Sequence, residues 1–347
     1  MTIKKRNIPI DILRIMAIIF VITGHFMIHN SSFHTELIVK GNVSYFPNAA
    51  LYSVLILGVN VFLLISGYFG IHSYKKFFYF LSATYTVAVI TSIFCITMRI
   101  PYTIKFMLFL FSTFWFIGVY LVLLLFAPII NKSVDLIDKR EFYIFISTYL
   151  IVWGIQDTFA NTGYIAMNNG YSIFHAIAML FVGGGIRKFQ IEKSCSRWGI
   201  FLFIFSLVLE NTLFLVFLQF GKSFMIDNLY AYNSLFTVIS AIGLLFIFSN
   251  IHLKKNIPGK IKYILFLIAD ATLFIYLLDS SQLCQYFRSL AIKRSSYIIL
   301  YVILVFSISV LTKQTFDSLY RKLETFAFSK IKQSNLYHTY YERFRRL

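Results

Sequence analysis

Apolar runs of membrane length recur from one end of this chain to the other, and they decide what it can fold into. A helix needs about 20 mostly apolar residues to cross a hydrocarbon core. About ten such runs follow one another: 8–28, 48–71, 77–97, 112–128, one ending near Asp157, 171–186, one through Glu210 and Asn211, one ending near Asn250, 263–283, and one after Ser295. With 59% of the 347 residues hydrophobic and 13% charged, no stretch is left to build a water-soluble domain. The expected fold is an all-α integral membrane bundle of about ten transmembrane helices, residues 1–312, without internal repeats. The first run is too long and too charged for a cleaved signal peptide, so it is expected to stay.

The formal net charge of +18 raises the question of a nucleic-acid partner, which would need that charge gathered on one surface. It is instead sorted by loop. The N-terminus, alternate short connections and the segment after Thr312 hold 24 of the 32 Lys and Arg residues, whereas the opposite connections hold seven and Arg14 sits inside the first run. By the positive-inside rule both termini are cytoplasmic. The basic excess therefore reports topology and contact with membrane lipids, not nucleic acid. Residues 313–347 mix Lys and Arg with Phe, Tyr and Leu, which predicts a basic amphipathic tail lying along the inner leaflet.

The first run is apolar but carries Asp11, Arg14 and His25. Ionisable groups in a spanning helix are costly and by default mark a functional site. On a regular helix His25 lies about 20° round from Arg14 and about 16 Å along the axis, with Asp11 one turn before Arg14. The three therefore form one stripe, which has to face protein or water. In the alternative, Asp11 and Arg14 only anchor the helix near the interface and His25 marks where it leaves the membrane.

Other polar positions carry less. Asn60, in the second run, needs a hydrogen-bond partner, and Ser66 and Gly67 permit close helix approach. Lys75 and Lys76 form a basic cytoplasmic turn that suits an anionic ligand and equally suits the topology rule. Gly183, Gly184 and Gly185 are read as packing or hinge residues ahead of anion binding. The outer-loop residues His29, His34 and Glu36 are ordinary loop polarity, and His175, Glu210, Asp270 and Asp279 have no partner legible in the sequence. Cys95, Cys195 and Cys284 are isolated, so neither a disulfide framework nor a metal site is expected.

With ten residues between Arg14 and His25 and Asp11 before them, the chain resembles acyltransferase family 3, the membrane O-acetyltransferases of the O-antigen acetylase type, almost from end to end. Val61-Phe62-Leu63-Leu64-Ile65-Ser66-Gly67-Tyr68 is similar to that family's second-span motif, Phe114-Trp115-Phe116 to its Trp-Phe-Leu motif, and Leu273 to Leu278 to its late Tyr-Leu-x-His segment. Two positions depart. Asp279 stands where the last motif commonly ends in His, and an Arg-rich run is reduced to Lys75-Lys76-Phe77-Phe78-Tyr79.

The resemblance implies transfer of an acyl group, usually acetyl from acetyl-CoA, to a sugar hydroxyl of an envelope glycan or a lipid-linked sugar at the bacterial cytoplasmic membrane. Under it, His25 takes the hydroxyl proton, Arg14 holds donor oxygens with Lys75 and Lys76 nearby, and Asp11 orients Arg14. The chemistry suits the residues: imidazole accepts a proton near neutral pH, and a guanidinium offers a rigid fork of donors. The rival reading is a transporter or flippase of glycan precursors, with the stripe lining its path. A glycan polymerase is disfavoured because the outer loops are short.

Overall fold

The computed structural model describes residues 6–30, 46–71, 75–100, 114–160, 168–253, 257–291 and 297–332, and these are helical with short connections. Helix α1 (Ile8–Asn30) is followed by α2 (Phe46–Leu55) and α3 (Leu57–Phe69), which run almost continuously through Ile56. Next come α4 (Lys75–Thr97) and α5 (Trp115–Leu136). Helix α6 (Lys139–Thr148) passes through a π-helical stretch, Tyr149–Ile155, into α7 (Gln156–Ala160). The chain continues with α8 (Ile173–Lys188), α9 (Trp198–Gln219), α10 (Ser223–Leu229) and α11 (Leu235–Ser249). It closes with α12 (Gly259–Asp279), α13 (Gln282–Ala291) and the 36-residue α14 (Tyr297–Lys332).

Seven of these are long and apolar enough to cross a membrane: α1, the α2–α3 pair, α4, α5, α9, α12 and α14. The stretches 139–160, 173–188 and 235–249 occupy the places of three further expected runs. Large apolar side chains are exposed along whole helix faces, as with Ile200, Phe201, Ile204, Phe205 and Val208 of α9 and Ile299, Leu300, Ile303 and Leu304 of α14. Such a surface is stable only against lipid, and helices suit lipid because each satisfies its own backbone hydrogen bonds. The molecule is a multi-pass membrane protein.

Helix α1 is the hub, touching α2, α3, α11, α12, α13 and α14. Its buried residues include Ile10, Leu13, Ala17, Ile22 and Phe26. Around it, glycines let backbones meet. A Cβ on Gly67 would lie 2.0 Å from the Leu180 carbonyl oxygen and one on Gly183 would lie 2.3 Å from that of Leu64, so α3 and α8 pack backbone to backbone. Gly185 is filled by the Phe142 ring. The triplet serves packing.

Two expected boundaries move. The fourth run, expected to close at Pro128, continues as α5 to Leu136 with the proline inside it. Proline removes one backbone donor and clashes one turn back, but neighbouring helices stabilise the flanking turns. Asn131 Nδ2 donates to the Ile71 carbonyl, and Lys188 Nζ caps the carbonyls of Val134, Asp135 and Ile137. Asp138 and Glu141 then form a reciprocal capping box that starts α6. At the other boundary, α14 passes through Thr312 without a break, so residues beyond it up to Lys332 extend the last helix and do not begin a separate one along the leaflet. At 1.5 Å per residue it is about 54 Å long and outruns the hydrocarbon core. Residues 333–347 of the expected tail lie outside the described residues.

Candidate active site

The polar residues of α1 meet different partners at its two ends. At the far end, His25 Nδ1 lies 2.7 Å from Asp279 Oδ2. Asp279 is the last residue of α12, and a short turn at Ser280 and Ser281 folds the chain back into α13. That reversal returns Arg288 to Asp279, where its Nη1 donates to Oδ1 at 2.6 Å and to the backbone carbonyl at 2.9 Å. From α14, the Tyr301 hydroxyl donates to the same Oδ1 at 2.6 Å. Asp279 and Arg288 are 0% and 1% exposed, whereas the His25 side chain retains 25%.

A buried carboxylate is costly unless paired and hydrogen-bonded, and Asp279 is both. Its second oxygen fixes the imidazole: with a carboxylate at Nδ1, the ring carries its hydrogen there and its lone pair on Nε2. This is the arrangement of a base held by an orienting acid, with the acid itself locked by Arg288 and Tyr301. Burial pushes the nearby Cys284 thiol up to about 11. It stays protonated near neutral pH, which argues against a cysteine nucleophile.

At the near end, Asp11 is shared between two guanidinium groups. Arg14 Nη1 donates to Oδ1 and Arg6 Nε to Oδ2, both at 2.9 Å. Arg6 also reaches Asp270 of α12 at 3.0 Å and stacks on Phe266. Asp11 therefore orients Arg14 without approaching His25. Arg14 faces a cavity of about 370 Å³ that also meets Lys76, Ser66, Tyr120 and Asp270, with apolar walls between them. Lys75 begins α4, but its side chain lies outside the described residues. The cavity's Tyr79 donates to Asp317 at 2.7 Å, which ties the extension of α14 to α4 at this end.

A smaller cavity of about 20 Å³ adjoins His25, bounded by Gly24, Tyr52, Ile56 and Tyr232 among others. Tyr232 belongs to an aromatic group with Trp115 and the half-exposed Tyr171, at ring-centroid distances of 4.6 to 5.7 Å. A buried chain of hydrogen bonds holds this group in place. Tyr149 OH is 2.7 Å from His175 Nδ1, His175 Nε2 is 2.8 Å from Asn60 Oδ1, and Asn60 Nδ2 donates to the Tyr232 carbonyl. Asn60 thus has its expected partner. Trp115, of the motif Phe114-Trp115-Phe116, takes part in the aromatic group. His34 and Glu36, and the side chain of His29, lie outside the described residues.

The stripe of α1 was legible in the sequence, but the partner of His25 was not. Asp279 registered as a residue without a legible partner and as a departure from a resembling motif, and Arg288 as one of seven basic residues in the sparsely charged loops. Glu210 remains buried in α9, and neither of its oxygens has a hydrogen-bond partner among the described residues.

A family model described as an acyltransferase domain matches residues 7–313. No curated protein and no solved structure matches the chain significantly. The matched segment contains α1 with Asp11, Arg14 and His25, the reversal that carries Asp279 and Arg288, and Tyr301. On a match of that extent, the chain belongs to acyltransferase family 3, and acyl transfer is the activity of its membrane domain.

Proposed function

We propose that this protein moves an acetyl group from acetyl-CoA to a sugar hydroxyl of a cell-envelope or exported polysaccharide, or of its lipid-linked precursor, at the bacterial cytoplasmic membrane. The observation that carries the reading is the His25–Asp279 pair at the end of the Arg14 stripe. The proposed topology has ten spans with both termini inside, so Arg14 and Lys76 face the cytoplasm and His25 the outer half of the bilayer. Residues 1–312 form the catalytic domain, and the basic segment from Lys313 contacts anionic lipid.

Arg14, oriented by Asp11, and Lys76 offer charge to the phosphates or carbonyl oxygens of the donor, and Lys75 adjoins them in sequence. The thioester supplies an activated carbonyl. At the other end, Nε2 of His25 takes the proton of the sugar hydroxyl while Asp279 stabilises the imidazolium. The hydroxyl oxygen bonds to the acyl carbon as the carbon–sulfur bond breaks, and the proton on His25 passes to the departing thiolate. The products are an ester and a thiol. Tyr232 borders the cavity beside His25 and packs with Trp115 and the half-exposed Tyr171, and in this reading the aromatic group offers the acceptor sugar an apolar surface.

A deletion strain complemented with wild-type gene or His25→Ala, at equal membrane abundance, tests this reading. Alkali-labile acyl esters on envelope glycans should return with the wild type and not with the variant. Glycan that changes in amount or length without regaining esters would instead indicate a transporter.

A further inference from the structure

The two cavities share two wall residues, Val21 of α1 and Val59 of α3. Along α1 the order is Arg14, Ile18 and Val21 facing the larger cavity, then Val21, Gly24 and His25 facing the smaller. These steps of three and four residues keep one helix face towards the path. Along the α2–α3 pair the order reverses: Tyr52, Ile56 and Val59 face the smaller cavity, and Val59, Phe62 and Ser66 the larger. The valines therefore stand opposite each other where one compartment ends and the next begins.

This boundary cannot easily widen. Gly58, beside Val59, lies against α1 so closely that a Cβ there would be 2.7 Å from the Ala17 carbonyl oxygen and 2.8 Å from Val21 Cγ2. Both valines are nearly buried, at 8% and 6% exposure, and β-branched side chains have few rotamers to turn into. The compartments also differ in size, about 370 Å³ against about 20 Å³. The first suits an extended thioester-bearing arm. The second has room for little more than one water- or methyl-sized group.

We propose that Val21 and Val59 form a size filter between the donor compartment and His25, and that this pair restricts the transferred group to a short acyl chain. The proposal rests on the acyl-transfer reading and adds to it the residues that set chain length. The acyl end passes between the valines so that its carbonyl meets the hydroxyl activated at His25. A chain with further methylenes finds neither a passage nor space beyond it.

One extra methylene in a closely fitting apolar site changes discrimination by about 10- to 200-fold. The test uses membranes from the complemented deletion strain, which carry their own glycan acceptor, supplied with acetyl-CoA or butyryl-CoA labelled in the acyl group. The readout is the ratio of butyryl to acetyl ester within each membrane preparation, which cancels differences in folded amount. Val59→Ala and Val21→Ala should each raise that ratio at least 10-fold over wild type. Val59→Phe should abolish both esters while leaving binding of labelled CoA intact. Alanine variants with the wild-type ratio would overturn the filter, as would a Val59→Phe protein that still transfers acetyl. If wild-type membranes esterify nothing from either donor, the acyl-transfer reading fails and takes the filter with it, a result distinct from an unchanged ratio.

Discussion

Asp279 has no exposure to solvent, yet it touches an imidazole, a guanidinium and a phenol from three different helices. Removing one partner of a buried ion pair costs about 3–5 kcal/mol, chiefly because the other charge is left behind, whereas replacing both by apolar groups is often neutral. Stability and catalysis can therefore be separated here. Asp279→Asn should lower the thermal midpoint in detergent and lower acyl transfer on the order of 100-fold or more. Adding Arg288→Met should recover most of the stability and none of the activity. A double variant that also regained activity would show that Asp279 only holds the fold. Asp11 plays a different part, since its two oxygens are taken by Arg6 and Arg14 at the opposite end of the stripe.

Among the elements, α1 was the most legible, because helical periodicity alone puts Asp11, Arg14 and His25 on one face. Its partners were hidden for a physical reason. The contact between His25 and Asp279 spans 254 residues, and periodicity within one helix carries no information about which neighbour it meets. The end of α5 was misplaced because Pro128 reads as a stop in water, whereas tertiary packing carries the helix past it. The same packing gives Gly183 its role. Gly183→Leu would drive a side chain into the Leu64 backbone, part α3 from α8 and destabilise the bundle by about 1–3 kcal/mol or more. Gly259→Ala, where a Cβ meets nothing within 4 Å, should be nearly neutral. Thermal midpoints in detergent compare the two, and equal effects would contradict the close α3–α8 contact.

Across the whole molecule, the cationic compartment and the imidazole lie at opposite ends of one helix about 16 Å apart. In the proposed topology the Arg14 end faces the cytoplasm. In this account a donor reaches one end of α1, an acceptor meets the other, and the bundle excludes water between them. The overall class was open to reading because lipid forces a simple grammar of apolar runs. The proposed chemistry depends on a reversal between α12 and α14 that no such grammar encodes. The most direct test supplies acetyl-labelled acetyl-CoA to the cytoplasmic face of inside-out vesicles and follows free thiol and alkali-labile ester together. The account predicts that wild type releases thiol and forms ester in equal amounts, while His25→Ala and Asp279→Asn bind donor but lose both products. Undiminished transfer by either variant, or ester formed without thiol release, would contradict it.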